Sequence, residues 1–285
     1  MHIRLLLLSL LTLASAPLPA QQPVDNPVRV LLKAGQPAVG VTITVASPEV
    51  VAQAAGLGFD YLWIEMEHSP VTLETARNMI LATRGLKAIP FIRVPVNELW
   101  TAKRALDIGA LGVIFPFTST PELARQAVAA CKYPPLGRRG AGPGLATFRW
   151  PATEGYSNFA DRNVMVIAII EEKCAVEKID EIAAVPGLDV LFIGVNDLSF
   201  SYGHRGRQDV AEVQEAIRKI VAVAKRNNIP VGRPAASAEA IARYRSEGFS
   251  FFQASSELGF MVAGARELLA PLGKTDAAAP RRPLY

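Results

Sequence analysis

Eight apolar runs, the amphipathic stretches between them and a length of 285 residues predict an α/β fold, a (β/α)8 TIM barrel. The runs are residues 39–46, 60–66, 88–94, 111–117, 164–170, 188–194, 229–235 and 249–255. Most are apolar at successive positions rather than alternating, as strands of a parallel sheet are when both faces are covered. A doubly wound open sheet produces the same alternation and is the structural alternative. No GxGxxG follows the first run, so nothing favours a dinucleotide-binding version of it.

Each run is followed by a stretch with helical spacing. "PEVVAQAAGLG" follows the first, and "TLETARNMILATRG" the second, with Thr72 placed to cap. "ELWTAKRALDIG" follows the third, "TPELARQAVAACKY" the fourth and "CAVEKIDEIAAVPG" the fifth. "DVAEVQEAIRKIVAVAKRNN", "SAEAIARYRSEG" and "LGFMVAGARELLAPLG" complete the series. Several stop at glycine, as helix ends do. The segment from Tyr133 to Arg162, with its "YPPLGRRGAGPGLATFRW", is the least regular, and long loops of this kind usually carry function or mobility.

The ends of the chain read differently. "MHIR" is basic, "LLLLSLLTLASA" is a short apolar core, and "PLPAQQ" supplies small residues and prolines, the pattern of a secretory signal peptide cut after Ala20. The expected organisation is a signal peptide over 1–20, a lead-in over 21–38, the barrel over 39–272 and a flexible tail over 273–285. An uncleaved anchor is the alternative at the N-terminus; no later stretch is long enough to span a bilayer, so stable membrane insertion is not expected. The chain is read as exported, periplasmic or secreted. The formal charge is only +4, without a basic stripe interleaved with aromatics, which argues against nucleic acid as a partner. Cys131 and Cys174 form no CxxC or metal spacing and read as two buried free thiols, with a single bridge as the alternative.

The C-terminal ends of barrel strands line the active site. The second run ends in Glu65, Glu67 and His68, the third in Arg93, the fifth in Glu171 and Glu172, and the sixth in Asn196 and Asp197. Each has a plainer reading. Glu171 suits the N-terminus of a helix, Asp197 suits an N-cap, His68 suits a solvated surface, and Arg93 suits a structural ion pair. Those readings weaken because charged residues leave apolar strands on one side of the same barrel.

The pieces "FDYLWIEMEHSP", "IPFIRVP", "LDIGALGVIFP", "KYPPLGRRGAG", "IIEEKCAVE" and "GLDVLFIGVNDLS", in this order, resemble the HpcH/HpaI aldolase family. These are class II pyruvate aldolases like 4-hydroxy-2-oxoheptanedioate aldolase, within the citrate lyase β-chain superfamily. The resemblance covers roughly residues 39–270 and implies a barrel of the phosphoenolpyruvate/pyruvate-binding type. It implies that Glu171 and Asp197 hold a divalent cation (Mg²⁺, Mn²⁺ or Co²⁺). It also implies that Arg93 contacts the keto oxygen of the substrate, that His68 is the catalytic base, and that Asp107 orients it. The backbone from Gly194 through Asn196 to Asp197 matches the loop that holds the substrate carboxylate, Glu65 and Glu67 stand behind these groups, and "GRRGAG" resembles a glycine-rich loop beside the pocket.

The implied chemistry is cleavage or formation of a 4-hydroxy-2-oxo acid through a pyruvate enolate, with a small 2-oxo acid and an aldehyde as reactants. No Schiff-base lysine is needed, and Lys103 and Lys173 both fall in helical stretches. Three positions depart from the family pattern: Ile169 where Gln is common, Val195 where Pro is common, and Glu65 where Asp is usual. The other function classes are an exported protein that binds a small carboxylate without turnover, and a related decarboxylase or thioester-cleaving lyase. The family also implies a homo-oligomer, a hexamer with active sites near subunit contacts.

Overall fold

The structure is a computed structural model, of which residues 25–274 are described. The expected signal peptide and most of the expected tail lie outside those residues. Elements follow in the order α1 (Pro27–Lys33), β1 (Ala38–Ile43), α2 (Pro48–Gly56), β2 (Tyr61–Glu65), α3 (Leu73–Ala82), β3 (Ile89–Arg93), α4 (Leu99–Asp107), β4 (Gly112–Phe115) and α5 (Pro121–Cys131). Then come α6 (Gly144–Arg149), α7 (Tyr156–Asn163), β5 (Met165–Ile170), α8 (Lys173–Glu177), α9 (Ile179–Ala183), β6 (Val190–Ile193) and α10 (Val195–Ser201). The series ends with α11 (Ala211–Arg226), β7 (Val231–Pro234), α12 (Ala238–Ser246), β8 (Phe251–Ser256) and α13 (Glu257–Leu269).

All eight expected strands form, and they close in sequence order into a parallel barrel, with β8 pairing back onto β1. Strands β2 to β6 are buried along their whole length, which is why their runs do not alternate. Among the described residues five helices start at a hydroxyl cap. Thr72 accepts from the Thr75 N–H as expected, and Ser47, Thr120, Ser237 and Ser256 do the same for α2, α5, α12 and α13.

Large rings and glycines share the barrel axis. Tyr61 from β2 stacks on Phe91 of β3 (ring centroids 5.2 Å apart) and on Phe251 of β8 (4.5 Å), while Phe192 of β6 meets Phe251 edge-on at 6.3 Å. Gly40, Gly112 and Gly232 face these rings. A methyl group at Gly112 would sit 2.6 Å from the Phe91 ring, and one at Gly232 would sit 2.7 Å from Phe192 and 2.8 Å from Phe251. The interior is therefore a packed core in layers, not a channel.

Several features differ from expectation. The lead-in contains α1, which the sequence pattern did not reveal. Its cap, Asn26, is fully buried at the N-terminal ends of the strands, bonding Asn163 Oδ1 (2.6 Å) and the carbonyls of Leu111 (3.3 Å) and Asn163 (2.9 Å). The helix expected over 174–187 is split into α8 and α9. The irregular segment after α5 folds into α6 and α7 and packs against the same N-terminal end. Cys131 is buried, as expected, but Cys174 is exposed on α8; both are free thiols. Among the described residues no helix is long and apolar enough to cross a membrane.

The close fit at the axis makes Gly112→Ala a sensitive probe. Overpacking of this kind costs about 1–3 kcal/mol. Urea denaturation of Gly112→Ala is expected to show that loss, with part of it recovered when Phe91→Leu is added, since the two positions touch and their effects couple.

Candidate active site

Charged side chains gather at the C-terminal ends of β2, β3, β5 and β6. Glu65 and Arg93 are register partners at the last positions of β2 and β3. Arg93 Nη1 reaches Glu65 Oε2 at 3.3 Å, and Nη2 pairs with Glu67 Oε2 and lies 3.9 Å from Glu171 Oε2. One guanidinium thus serves three carboxylates, and its Nε and Glu67 Oε2 are buried without an aligned hydrogen bond.

Glu65 is saturated. It accepts from Trp63 Nε1 (3.1 Å), from the Glu67 N–H (2.7 Å) and from the His68 N–H (3.2 Å), besides Arg93. It therefore shapes the Glu67–His68 turn rather than presenting a free carboxylate. The Glu65 side chain holds the backbone of His68, not its ring. That ring projects outward, 61% exposed, with Nε2 3.7 Å from Glu67 Oε2.

Glu171 follows β5 directly, and its side chain is almost fully buried. The Phe117 N–H donates to its Oε1 at 2.7 Å. Phe117 delivers that N–H from a left-handed backbone (φ 47°), which is uncommon for a residue of this size. On the other side Gly194 leaves room, since a Cβ there would come within 2.7 Å of Glu171 Oε2. Asp197 stands in the first turn of α10, where the backbone N–H groups have no intrahelical partner. Glu171, Asp197, Arg93, Gly194, Val195 and Asn196 line a single cavity of about 100 Å³, floored by Trp63, Ile169 and Phe192. Glu172, the neighbouring acid, instead takes the Ser119 hydroxyl and precedes α8.

Burial raises the carboxyl of Glu171 to about 7, helped by Asp197 and Glu67 and opposed by the Phe117 N–H and Arg93. Burial likewise raises Glu67 to about 7, opposed by Arg93 and reinforced by Glu65 and Asp197. The site carries more negative charge than one arginine offsets. Carboxylate oxygens in excess suit a hard divalent cation. Among the described residues no three His, Cys, Asp or Glu side chains form a ready-made metal cage, so the protein's share would be the pair Glu171 and Asp197.

Two of the expected groups lie away from the cavity within the chain. Asp107 does not reach the His68 ring within the chain. It ends α4, just before β4 begins, at the opposite end of the barrel, and accepts from Arg139 Nη2 at 3.1 Å. A strand of five residues separates the two rims by on the order of 15 Å. "GRRGAG" belongs to that far rim too: a Cβ at Gly140 would approach Lys103, and one at Gly142 would lie 3.4 Å from Asp107 Oδ2. The sequence reasoning also missed Trp63, the Phe117 N–H and Gln253, which enters the cavity from β8. Gln253 had a signal, as the one amide in an apolar eighth run, and so had Trp63, two residues before Glu65 on the same face of β2.

A closed parallel barrel with buried carboxylates and an arginine at its C-terminal mouth defines an enzyme-type site of the barrel class. Residues 39–263 match the model of the HpcH/HpaI aldolase/citrate lyase family, and the chain belongs to that family. It is 34% identical over 242 residues to a 2-dehydro-3,6-dideoxy-6-sulfogluconate aldolase of Pseudomonas putida, covering 85% of this chain and 95% of the relative. It is 35% identical over 254 residues to a hydroxypyruvate/pyruvate aldolase of Deinococcus radiodurans, covering 87% and 90%. A crystal structure of a family member from Burkholderia cenocepacia superposes with a TM-score of 0.81 at 30% identity, over 88% of this chain and all of that one. The relatives are aldolases, which supports a carbon–carbon lyase.

The raised carboxyl of Glu171 has a consequence for stability. Its folded value lies above the ordinary 4.5, so protonation favours the folded, cation-free chain. That contribution is complete below about 4.5 and is lost as the pH rises through about 7. In the presence of a chelator, the Tm of the wild type is expected to fall more between pH 5 and pH 8 than that of Glu171→Gln, by at least ~2 °C in scanning calorimetry.

Proposed function

We propose that this chain is a divalent-cation-dependent aldolase that makes or breaks a 4-hydroxy-2-oxo acid, with a pyruvate-type 2-oxo acid as the donor half. The observation that carries the reading is the convergence of Glu171, Asp197 and Arg93 on one small cavity at the C-terminal mouth of the barrel. The aldolase relatives support the same class of reaction.

Glu171 and Asp197 are the residues that would hold Mg²⁺, Mn²⁺ or Co²⁺; when bound there, the cation supplies Lewis-acid polarisation of the 2-oxo group. Arg93 keeps a permanent positive charge beside the developing enolate oxygen, which lysine in so buried a setting would not guarantee. Its anchoring by Glu65 and Glu67 fixes the guanidinium before substrate arrives, so no reorganisation is needed at the moment of bond cleavage. The unpartnered amides at the start of α10, over Val195, Asn196 and Asp197, suit the substrate carboxylate. The exposed ring of His68 stands at the mouth, where a C4 hydroxyl would lose its proton as the aldehyde leaves. The chain's aldehyde partner enters from that open side.

Asp107 can serve His68 only if a neighbouring copy supplies it, because its own chain holds it at the far rim. The proposed oligomer, a hexamer by family resemblance, is the setting in which that exchange takes place. Export is proposed from the N-terminal segment and is checked by N-terminal sequencing of the secreted or periplasmic chain.

Solvent deuterium exchange into the methyl group of pyruvate tests the reaction. The wild type loaded with Mn²⁺ is expected to catalyse it, with loss on adding EDTA and a fall of at least ~100-fold in Glu171→Gln or Asp197→Asn. Absence of exchange in a chain that still binds pyruvate would mark a carboxylate-binding protein instead. Asp107→Asn is expected to slow aldol cleavage ~10-fold or more while leaving Mn²⁺ affinity unchanged. Mixing the impaired Asp107→Asn and His68→Ala chains is expected to give mixed oligomers more active than either variant alone; no gain over the variants counts against the shared site.

A further inference from the structure

We propose that Gln253 is a substrate-binding residue, a side-chain donor that meets the anionic 2-oxo acid alongside the backbone amides of α10. This rests on the reading above that such an acid is bound. Side-chain donors are scarce in the cavity. Glu171 and Asp197 are acceptors, and an anionic ligand beside them needs hydrogen-bond donors. Arg93 is already shared among Glu65, Glu67 and Glu171. The floor residues Ile169 and Phe192 offer none, and the indole N–H of Trp63 is committed to Glu65. Asn196 lines the cavity as well, but it is exposed to solvent, whereas Gln253 is partly buried.

Gln253 remains. It lines the same cavity, and its side-chain amide makes no hydrogen bond to any described residue. Its strand explains its aim. Phe251, two residues earlier, packs its ring on Tyr61 inside the barrel, and alternation along β8 puts Gln253 on the same inward face, one layer nearer the mouth. There it is in register with Gly40 of β1 and Pro234 of β7. The pairing of β8 with β1 shifts register just beyond this point, an irregularity of the kind that re-aims side chains next to active sites. An uncommitted amide held inside a barrel, facing a site that needs a donor, is placed to bind the ligand rather than to hold the fold.

The test separates binding of the acid from binding of the cation. Pyruvate affinity is measured by calorimetry on the Mn²⁺-loaded chain, and Mn²⁺ affinity by electron paramagnetic resonance of the free ion. Gln253→Val is expected to weaken pyruvate tenfold or more (~1.4 kcal/mol at tenfold), as the loss of one charge-assisted hydrogen bond does. Mn²⁺ affinity and Tm should stay at wild-type values. Gln253→Glu, which keeps the shape and reverses the polarity, should weaken pyruvate further. Ile169→Gln added to Gln253→Val should recover part of the loss, because position 169 lines the same cavity from β5. Pyruvate affinity within twofold of wild type in both single variants overturns the proposal, as does an equal loss of Mn²⁺ and pyruvate in both. A wild-type chain that binds no pyruvate overturns the functional reading itself, and this proposal with it.

Discussion

Tyr61, Phe91, Phe192 and Phe251 fill the barrel axis, and they fit only because Gly40, Gly112 and Gly232 present no side chain to them. Ring against glycine is the constraint from which the upper half of the molecule is built. Aromatic rings have few rotamers and bury large areas, so a stacked set makes a rigid floor. Trp63, one layer above Tyr61 on β2, extends that floor and meets Phe192 at 4.9 Å. Its indole then reaches Glu65, the first of the charged layer. Packing below thus sets the positions of the carboxylates above.

The charged layer is held by sharing. Burying several carboxylates together is unfavourable unless positive charge and N–H groups meet them. Arg93 meets three of them, the Phe117 amide meets Glu171, and the backbone of Glu67 and His68 meets Glu65. Even so, burial, reinforced by neighbouring carboxylates and opposed by Arg93, raises Glu171 and Glu67 to about 7. A pocket in this condition favours a cation, and the proposed aldolase chemistry uses that preference.

The two rims of the barrel have different work. The C-terminal rim carries the cavity. The N-terminal rim is closed by α1, α6 and α7 and carries its own buried arginine, Arg139, set between Asp107 and the rings of Tyr133 and Tyr156. The glycine- and proline-rich segment lies there because it must cross from α5 to β5, and both of those ends face the N-terminal side. Its irregular sequence therefore reports a closure of the barrel within the chain rather than a lid over the chain's own cavity.

The order of strands and helices was legible in the amino-acid sequence, because buried parallel strands demand unbroken apolar runs and α2, α3, α5, α12 and α13 start at a capping hydroxyl. So was the set of charged residues at the mouth, since a carboxylate or guanidinium directly after such a run has few other places to go. The sequence did not reveal α1, whose seven residues offer too little periodicity. It also did not reveal which of the candidate residues meet. Arg93 with Glu65, Glu67 and Glu171 follows from strand register, whereas the separation of Asp107 from His68 follows from the direction in which α4 runs. Gln253 gains its meaning only when the barrel closes, because β8 lies beside the cavity through its pairing with β1 across the longest separation in the fold. Local patterns decide elements, since capping and burial act over a few residues. Closure decides the site, since it alone brings strand ends far apart in the chain to one mouth.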